Sequence, residues 1–174
     1  EIAGRMHKRL SLEMGGKNAQ IVMPDADLEL ALEGILWGAF GTTGQRCTAT
    51  SRLLLHRDIH DEFVEKLIYE AESLELGDGQ EAHVEVGPLI HEAARNKCEA
   101  YVEIARAEGA TVRSGGDRPT GKEFGKGWFF KPTVLTDVER DHRTAREEIF
   151  GPVLSVLRFT DCFRLFKFSS LKHC

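Results

Sequence analysis

Residues 19–40 read AQIVMPDADLELALEGILWGAF, a short apolar run followed by a longer amphipathic one. The first five residues are mostly apolar, which predicts a buried β-strand. Asp27 is a typical helix N-cap, and apolar residues recur after it at helical spacing, so a helix is predicted over about 27–40. The glycines of the loop Gly41–Gln45 end that helix, because glycine adopts backbone angles that a helix excludes. A strand followed directly by an amphipathic helix is typical of an α/β domain.

The same alternation of strand and helix continues along the chain. Asp58 is the expected cap of a second helix, and Ile90 is expected on the buried face of a third. Pro132 indicates that its strand lies at a sheet edge or carries a bulge. The pattern predicts further strands over 51–56, 111–114, 129–135 and 153–159, and helices from about 58 to 71 and from 89 to 108. This order predicts an α/β fold with a parallel sheet and right-handed crossovers.

The fold class also predicts where a ligand would bind. Parallel sheets of this kind usually bind ligands beyond the carboxyl ends of their strands. We therefore expect the turn at Gly15 and Gly16 and the loop Gly41–Gln45 at that edge of the sheet.

Composition excludes several classes of function. The net charge of −5 lacks the electrostatic footprint of a nucleic-acid-binding protein. The longest apolar stretch, Gly34–Gly41, is far shorter than the roughly 20 residues that a membrane-spanning helix needs. The four cysteines form no C-x-x-C pair, which is typical of free thiols in the cytoplasm. The seven histidines have no metal-ligand spacing, so we expect no metal site.

Two residues beside glycines are candidates for catalysis. Cys47 follows a glycine-rich break in the segment GQRCTA, where it can be exposed and where neighbouring N–H groups could hold an oxyanion. The alternative is that Cys47 is a small buried apolar residue, as free cysteines commonly are. Glu13 in LEMGGK precedes two glycines and could project into a cleft as a general base. Its alternative is an exposed glutamate at a strand end.

A third candidate lies in residues 147–152, which read EEIFGP. Two adjacent acids and an aromatic residue before Gly-Pro form a rigid turn that presents a carboxylate beside a ring. A carboxylate can accept hydrogen bonds from ribose hydroxyls, and a ring can pack on a cofactor. The alternative is a solvated turn that leads into a strand.

Together and in this order, the three motifs resemble those of the aldehyde dehydrogenase superfamily. The family has Leu-Glu-x-Gly-Gly-Lys, here residues 12–17, and Gly-Gln-x-Cys after a helix with an aromatic end, here residues 44–47 after Phe40. Glu-Ile-Phe-Gly-Pro follows at residues 148–152, and the interval from Glu13 to Cys47 fits the family's spacing. The resemblance covers about residues 1–160 and implies a three-layer catalytic domain with a parallel sheet, present here in part.

The resemblance also implies a reaction and its residues. Cys47 would be the nucleophile that forms a thiohemiacetal and then a thioester, and Glu13 would activate the water that hydrolyses the thioester. NAD or NADP would accept the hydride. Glu148 would hold the nicotinamide ribose with Phe150 packed beside it, and Met14 and Gly15 would lie near the nicotinamide.

The resemblance further implies that the chain is part of a longer enzyme. Residues 1–14 would be the tail of the cofactor-binding domain, 15–160 part of the catalytic domain, and 161–174 an atypical or truncated tail. The full-length enzyme would take a small aldehyde and form a homo-oligomer. Two alternatives to dehydrogenase activity of these residues remain, a residual cysteine esterase and an inactive fragment.

Overall fold

A computed structural model describes residues 2–161 of the chain. The predicted tail therefore lies outside the described residues except for Asp161. The helices are α1 Ile2–Arg5, α2 Leu28–Phe40, α3 His60–Ser73, α4 Glu92–Ala107 and α5 Arg143–Arg146, with a 3-10 turn at Lys122–Gly125. The strands are β1 Asn18–Val22, β2 Thr50–His56, β3 Thr111–Ser114, β4 Thr133–Thr136 and β5 Val153–Phe159.

The five strands form one sheet in the order β1-β2-β5-β4-β3. The pairs β1–β2, β2–β5 and β5–β4 are parallel, which confirms the predicted α/β fold. The pair β3–β4 is antiparallel, so a wholly parallel sheet is wrong at this edge. Residues 115–132, between β3 and β4, contain only the short 3-10 turn, whereas parallel strands are usually joined through an α-helix.

Helices cover both faces of the sheet and complete three layers. On one face α2 and α3 pack on the strands through residues such as Phe40, Phe63 and Leu53. On the other face α4 and α5 do so through residues such as Cys98 and Leu157. The central strand β5 is buried along almost its whole length because both layers cover it.

Three local expectations are corrected by the structure. Asp58 does not cap α3: the N-cap is Ile59, without a side-chain hydrogen bond, and the Asp58 carboxylate accepts from Arg57 instead. Ile90 is 77% exposed because α4 begins only after His91, whose Nδ1 accepts the N–H of Ala94. Pro132 precedes β4, and that strand lies between two others instead of at an edge, so the edge alternative is wrong; the register of the β3–β4 pair does shift, between Val112 and Ser114.

Candidate active site

The three motif loops meet at one edge of the sheet. The glycine turn precedes β1, the cysteine loop precedes β2, and the Glu-Ile-Phe-Gly-Pro turn precedes β5. These strands are neighbours and parallel, so their amino ends lie side by side. The expectation of a site at the carboxyl ends is therefore wrong. Each motif comes before its strand, and this order alone could have identified the correct edge.

The glycine turn fits closely around the carboxylate of Glu148. The N–H of Gly16 donates to Glu148 Oε1 at 3.1 Å. A Cβ on Gly15 would overlap the Glu148 carboxylate, so a side chain there would displace it. The absence of a side chain at Gly15 therefore lets the backbone reach this carboxylate, and two of the predicted site residues are in contact.

Cys47 is exposed, in agreement with the catalytic interpretation and against burial as a core residue. Gln45 fixes its loop from one side: its Nε2 donates to the carbonyl of Pro88, and its Oε1 accepts the N–H of Ile90 at 2.9 Å. From the other side, Asn18 Nδ2 donates to the carbonyl of Cys47 at 2.6 Å. Sequence reasoning missed these roles of Asn18 and Gln45, because both depend on partners far along the chain.

Gly44 joins the cysteine loop to the Glu-Ile-Phe-Gly-Pro turn. Its φ is 65°, and a Cβ there would overlap the carbonyl of Gly151. The residue before it, Thr43, has a φ of 56° and donates from Oγ1 to the carbonyl of Gly87. The loop therefore requires two left-handed residues in succession, and only a glycine fits the second position.

We expect Gly44→Ala to lower the free energy of unfolding by about 2–4 kcal/mol, from left-handed strain and overlap with the Gly151 backbone. Urea unfolding of both proteins measures this loss. Gly79→Ala is the matched control, because nothing lies within 4 Å of a Cβ at Gly79. A Gly44→Ala chain as stable as the control would contradict this account of the loop.

Phe150 points outward beside the carboxylate while its neighbour anchors the turn. Ile149 is buried in the core, whereas Phe150 is 42% exposed and has a left-handed φ of 60°. A left-handed conformation is uncommon for a bulky residue. The turn thus holds an aromatic ring at the surface, two residues after Glu148.

The two adjacent acids of this turn have different surroundings. Glu147 accepts hydrogen bonds from Arg143 at 2.9 Å and from the Tyr101 hydroxyl at 2.5 Å. These bonds, from Arg143 first and then Tyr101, lower the pKa of Glu147 to about 2. Glu147 therefore braces the turn against α4 and α5, and Glu148 is the acid that faces the glycine turn.

The basic side chains of Arg52 and Lys17 lie next to the glycine turn, and the sequence analysis did not identify a role for either. The Arg52 guanidinium donates to the carbonyl of Lys17 at 2.6 Å. Lys17 as a whole is partly buried, but its Nζ is fully buried and has no hydrogen-bond partner among the described residues. Burial first, and then the charge of Arg52, lower the pKa of the Lys17 amine to about 7, against the opposing effect of Glu148.

Lys17→Met should therefore stabilise the fold in a pH-dependent way. The unfolded chain keeps this amine protonated up to about pH 10.5 and the folded chain only up to about 7, so wild-type stability rises over that interval. We expect the variant to be more stable than wild type at pH 7 by on the order of 2 kcal/mol, with the difference shrinking towards pH 10. Urea unfolding at both values measures it, with the exposed Lys126→Met as control. A difference that does not change with pH would contradict the burial of this amine.

Cys98 contrasts with Cys47. It is fully buried on α4, and a Cβ on Gly151 would overlap its Sγ. Burial raises the pKa of the Cys98 thiol to about 12, so it remains protonated and unreactive near neutral pH. Cys98 is a structural residue that packs under the Glu-Ile-Phe-Gly-Pro turn.

The structure does not bring every predicted site residue together. Glu13 and Met14 are exposed on a segment without regular structure. Within residues 2–161, no hydrogen bond joins Glu13 to the cysteine loop. No hydrogen bond among the described residues therefore fixes the distance between the proposed base and the nucleophile.

Other features of the described residues lie apart from this edge. A cavity of about 760 Å³ lies between α2 and α3, and Gly41 at the end of α2 is the one residue of the loop Gly41–Gln45 that lines it. Across residues 2–161, no cluster of three or more metal-ligating side chains is present. The helices in that range are all too short or too polar to cross a membrane.

Comparison with known proteins identifies the family. Residues 1–165 match the model of the aldehyde dehydrogenase family. A betaine aldehyde dehydrogenase of Brucella anthropi is 43% identical over 159 residues, which cover 91% of this chain and 33% of the relative.

Solved structures agree with this match. Betaine aldehyde dehydrogenase from Staphylococcus aureus, in complex with NAD+, has a TM-score of 0.92 at 40% identity and covers 97% of this chain. An aldehyde dehydrogenase of Bacillus cereus has a TM-score of 0.89 at 39% identity. The chain spans about a third of the length of these relatives. This chain belongs to the aldehyde dehydrogenase family, because it matches the family's model, its fold and its three ordered motifs.

Proposed function

We propose that this chain carries the catalytic segment of an NAD(P)-dependent enzyme that oxidises an aldehyde to a carboxylic acid. The observation that carries the proposal is the junction of Gly44 with Gly151, which holds the loop of exposed Cys47 beside the turn of Glu148. Family membership supplies the reaction class. The aldehyde substrate and the nicotinamide cofactor belong to the proposal.

In this proposal Cys47 is the nucleophile. Its sulfur attacks the aldehyde carbon, an S–C bond forms, and the carbonyl oxygen gains negative charge. The backbone N–H of Cys47 donates to that oxygen and stabilises the charge. A bound nicotinamide cofactor serves as the hydride acceptor that converts this adduct to a thioester on Cys47. Glu13 then takes a proton from the water that hydrolyses the thioester.

The residues of this edge fit a nicotinamide cofactor. Glu148 uses Oε1 to accept from Gly16, which leaves Oε2 to accept a ribose hydroxyl. Gly15 has no side chain that would fill the space beside this carboxylate, and the exposed ring of Phe150 follows Glu148 by two residues. Met14 is exposed in the same turn and would lie near the nicotinamide. A related enzyme from Staphylococcus aureus is in complex with NAD+.

The proposal places the chain within a longer polypeptide. Residues 1–14 are the tail of a cofactor-binding domain and residues 15–160 part of the catalytic domain. The relatives are about three times as long as this chain, which supports this division. A homo-oligomeric state and a cytoplasmic location complete the proposal.

A hybrid enzyme tests the function. Residues 1–160 replace the matching third of the Staphylococcus aureus enzyme, and NADH formation is measured with a panel of aldehydes. The proposal predicts that the hybrid forms NADH when an aldehyde is added. The rate should exceed that of an S. aureus enzyme from which the replaced third has simply been deleted. A folded hybrid, judged by circular dichroism and gel filtration, that oxidises none of the aldehydes would contradict it.

A second candidate function needs no cofactor. Cys47 is exposed in this chain without the rest of the enzyme. Activated esters can therefore acylate its sulfur, and hydrolysis of the acyl group would follow. We expect the 174-residue chain to hydrolyse p-nitrophenyl acetate slowly, and Cys47→Ala to lose this activity. Hydrolysis that persists unchanged in the variant would exclude an esterase at this cysteine.

A further inference from the structure

Arg52 joins the glycine turn to α5, the short helix that leads into the Glu-Ile-Phe-Gly-Pro turn. Its Nη2 donates to the carbonyl of Lys17 at 2.6 Å, and its Nη1 donates to the carbonyl of Ala145 at the longer distance of 3.5 Å. Lys17 follows the two glycines directly, and Ala145 lies three residues before Glu148. One side chain of β2 therefore bonds to both segments that meet in the hydrogen bond from Gly16 to Glu148.

The guanidinium of Arg52 has no carboxylate partner in the described residues. Its hydrogen bonds within residues 2–161 are the two to backbone carbonyls, and its Nε is buried without a partner there. The buried Arg95, by contrast, pairs with the carboxylate of Glu92. Burial lowers the pKa of Arg52, but an arginine still stays protonated at ordinary pH. The contacts of Arg52 therefore fix backbone and do not neutralise an acid.

An arginine is suited to this bridge because of its shape. Its planar guanidinium presents N–H donors in a rigid fork, so two nitrogens of one side chain can each bond to a different carbonyl. A lysine ammonium is a point charge on a flexible stem and does not set the separation of two carbonyls. Neither bridged segment is part of a long element, since the glycine turn is irregular and α5 has only four residues.

A second side chain of the sheet holds α5 beside Arg52. Ser155 is paired with Arg52 across strands β2 and β5, and its Oγ donates to the carbonyl of Thr144 at 2.9 Å. Both Ser155 and Thr144 are fully buried. The sheet thus anchors α5 at two successive carbonyls. Because α5 leads directly into the two glutamates, this anchor determines where the Glu148 side chain begins.

We propose that Arg52 is a positioning residue for the cofactor, which holds the glycine turn and the Glu148 turn at the separation at which Glu148 can accept a ribose hydroxyl. The inference rests on the proposed function, in which Glu148 binds the cofactor, and goes further by naming the residue that sets the position of this carboxylate. Arg52 itself touches neither substrate nor cofactor and acts through the backbone of Lys17 and Ala145.

Hydrogen exchange measured by NMR tests this role on the chain itself. The Gly16 amide is the reporter, since it donates to Glu148 and lies outside the strands. We expect Arg52→Gln to speed exchange of this amide about tenfold relative to the amides of β4, because the turn opens more easily without the bridge. Arg158→Gln is the matched control: Arg158 lies near the carboxyl end of β5 and bonds to Asp61, so Gly16 should be unaffected. An unchanged Gly16 rate in Arg52→Gln, or a rise shared equally by β4, overturns the proposal.

Arg52→Lys separates the bridge from the charge. Lysine keeps the positive charge and the aliphatic stem, but its ammonium lacks the fork that reaches both carbonyls. We expect the Gly16 amide of this variant to exchange at least about threefold faster than in wild type, relative to β4. Exchange at the wild-type rate would show that the charge alone is sufficient and would overturn the bridge. This variant decides the matter also if Arg52→Gln does not fold.

Cofactor kinetics in the hybrid enzyme test the consequence for function. We expect Arg52→Gln to raise KM for NAD+ about tenfold and to change KM for the aldehyde less than about twofold, because other contacts hold the cysteine loop. A merely structural role would reduce the amount of active enzyme and leave both KM values unchanged. A loss in kcat alone, or equal changes in both KM values, therefore overturns the proposal. If the parent hybrid oxidises no aldehyde, the proposed function fails, whereas the Gly16 exchange rates still decide whether Arg52 positions the turn.

Discussion

Cys47→Ala in the hybrid enzyme should lower kcat/KM for aldehyde oxidation by at least about 10⁴-fold, because the covalent path loses its nucleophile. No other described cysteine can replace it, since Cys98 is buried and its pKa is raised to about 12 by burial. The loss should fall on kcat, because alanine removes no binding contact outside the reacting sulfur. Initial rates of NADH formation at several aldehyde concentrations give both constants.

The matched control is Cys98→Ala in the same hybrid. It removes a thiol of equal size from the core on α4, so we expect a loss of stability but kcat/KM within about threefold of the parent. Similar rates in the Cys47→Ala hybrid and its parent would show that the sulfur is not the nucleophile.

Glu13→Gln in the hybrid should slow turnover by about 10²–10⁴-fold and cause an acylated enzyme to accumulate. Glutamine keeps the size of the side chain but cannot take a proton from water, so the thioester forms and then persists. Glu13 is exposed and irregular in this chain, and the cofactor-binding part of the hybrid is expected to position it. Intact mass of samples quenched during turnover measures the acylated fraction.

Glu33→Gln is the control for this experiment, because Glu33 is an exposed glutamate on α2 outside the three motif loops. It should turn over at the parent rate without acyl-enzyme. If the Glu13→Gln hybrid is slow but never acylated, Glu13 acts before the thioester, for instance in deprotonating Cys47. Full activity of this variant would remove Glu13 from the mechanism.

Elements with strong local patterns were predictable from the sequence. The strand Val153–Phe159 has the bounds that the sequence predicts, and the helix Leu28–Phe40 begins after the predicted cap Asp27, whose carboxylate accepts from Leu30. Where such signals are missing, the boundaries of elements in the structure differ from the predicted ones. Ile90 fits the helical period but lies before the cap His91, and a period alone does not locate a cap.

Properties that depend on distant partners were not predictable. The antiparallel direction of β3 depends on its pairing with β4, which follows it along the chain without a crossover helix. Lys17 follows two glycines and looks like a solvated lysine in the sequence. Its buried amine results from packing near Arg52 and Glu148, which lie far along the chain. The contact of Glu148 with Gly16 joins residues at opposite ends of the chain.

The most direct test of the central claim is the rate at which iodoacetamide labels each cysteine of the native chain at neutral pH. The account predicts that Cys47 is labelled at least about 10²-fold faster than Cys98, because Cys47 is exposed and burial keeps the Cys98 thiol protonated. It also predicts that Cys47 reacts faster in the folded chain than in the chain unfolded in urea. Labelling of Cys47 that is no faster than that of Cys98, or slower than in the unfolded chain, would contradict a catalytic cysteine at this edge of the sheet.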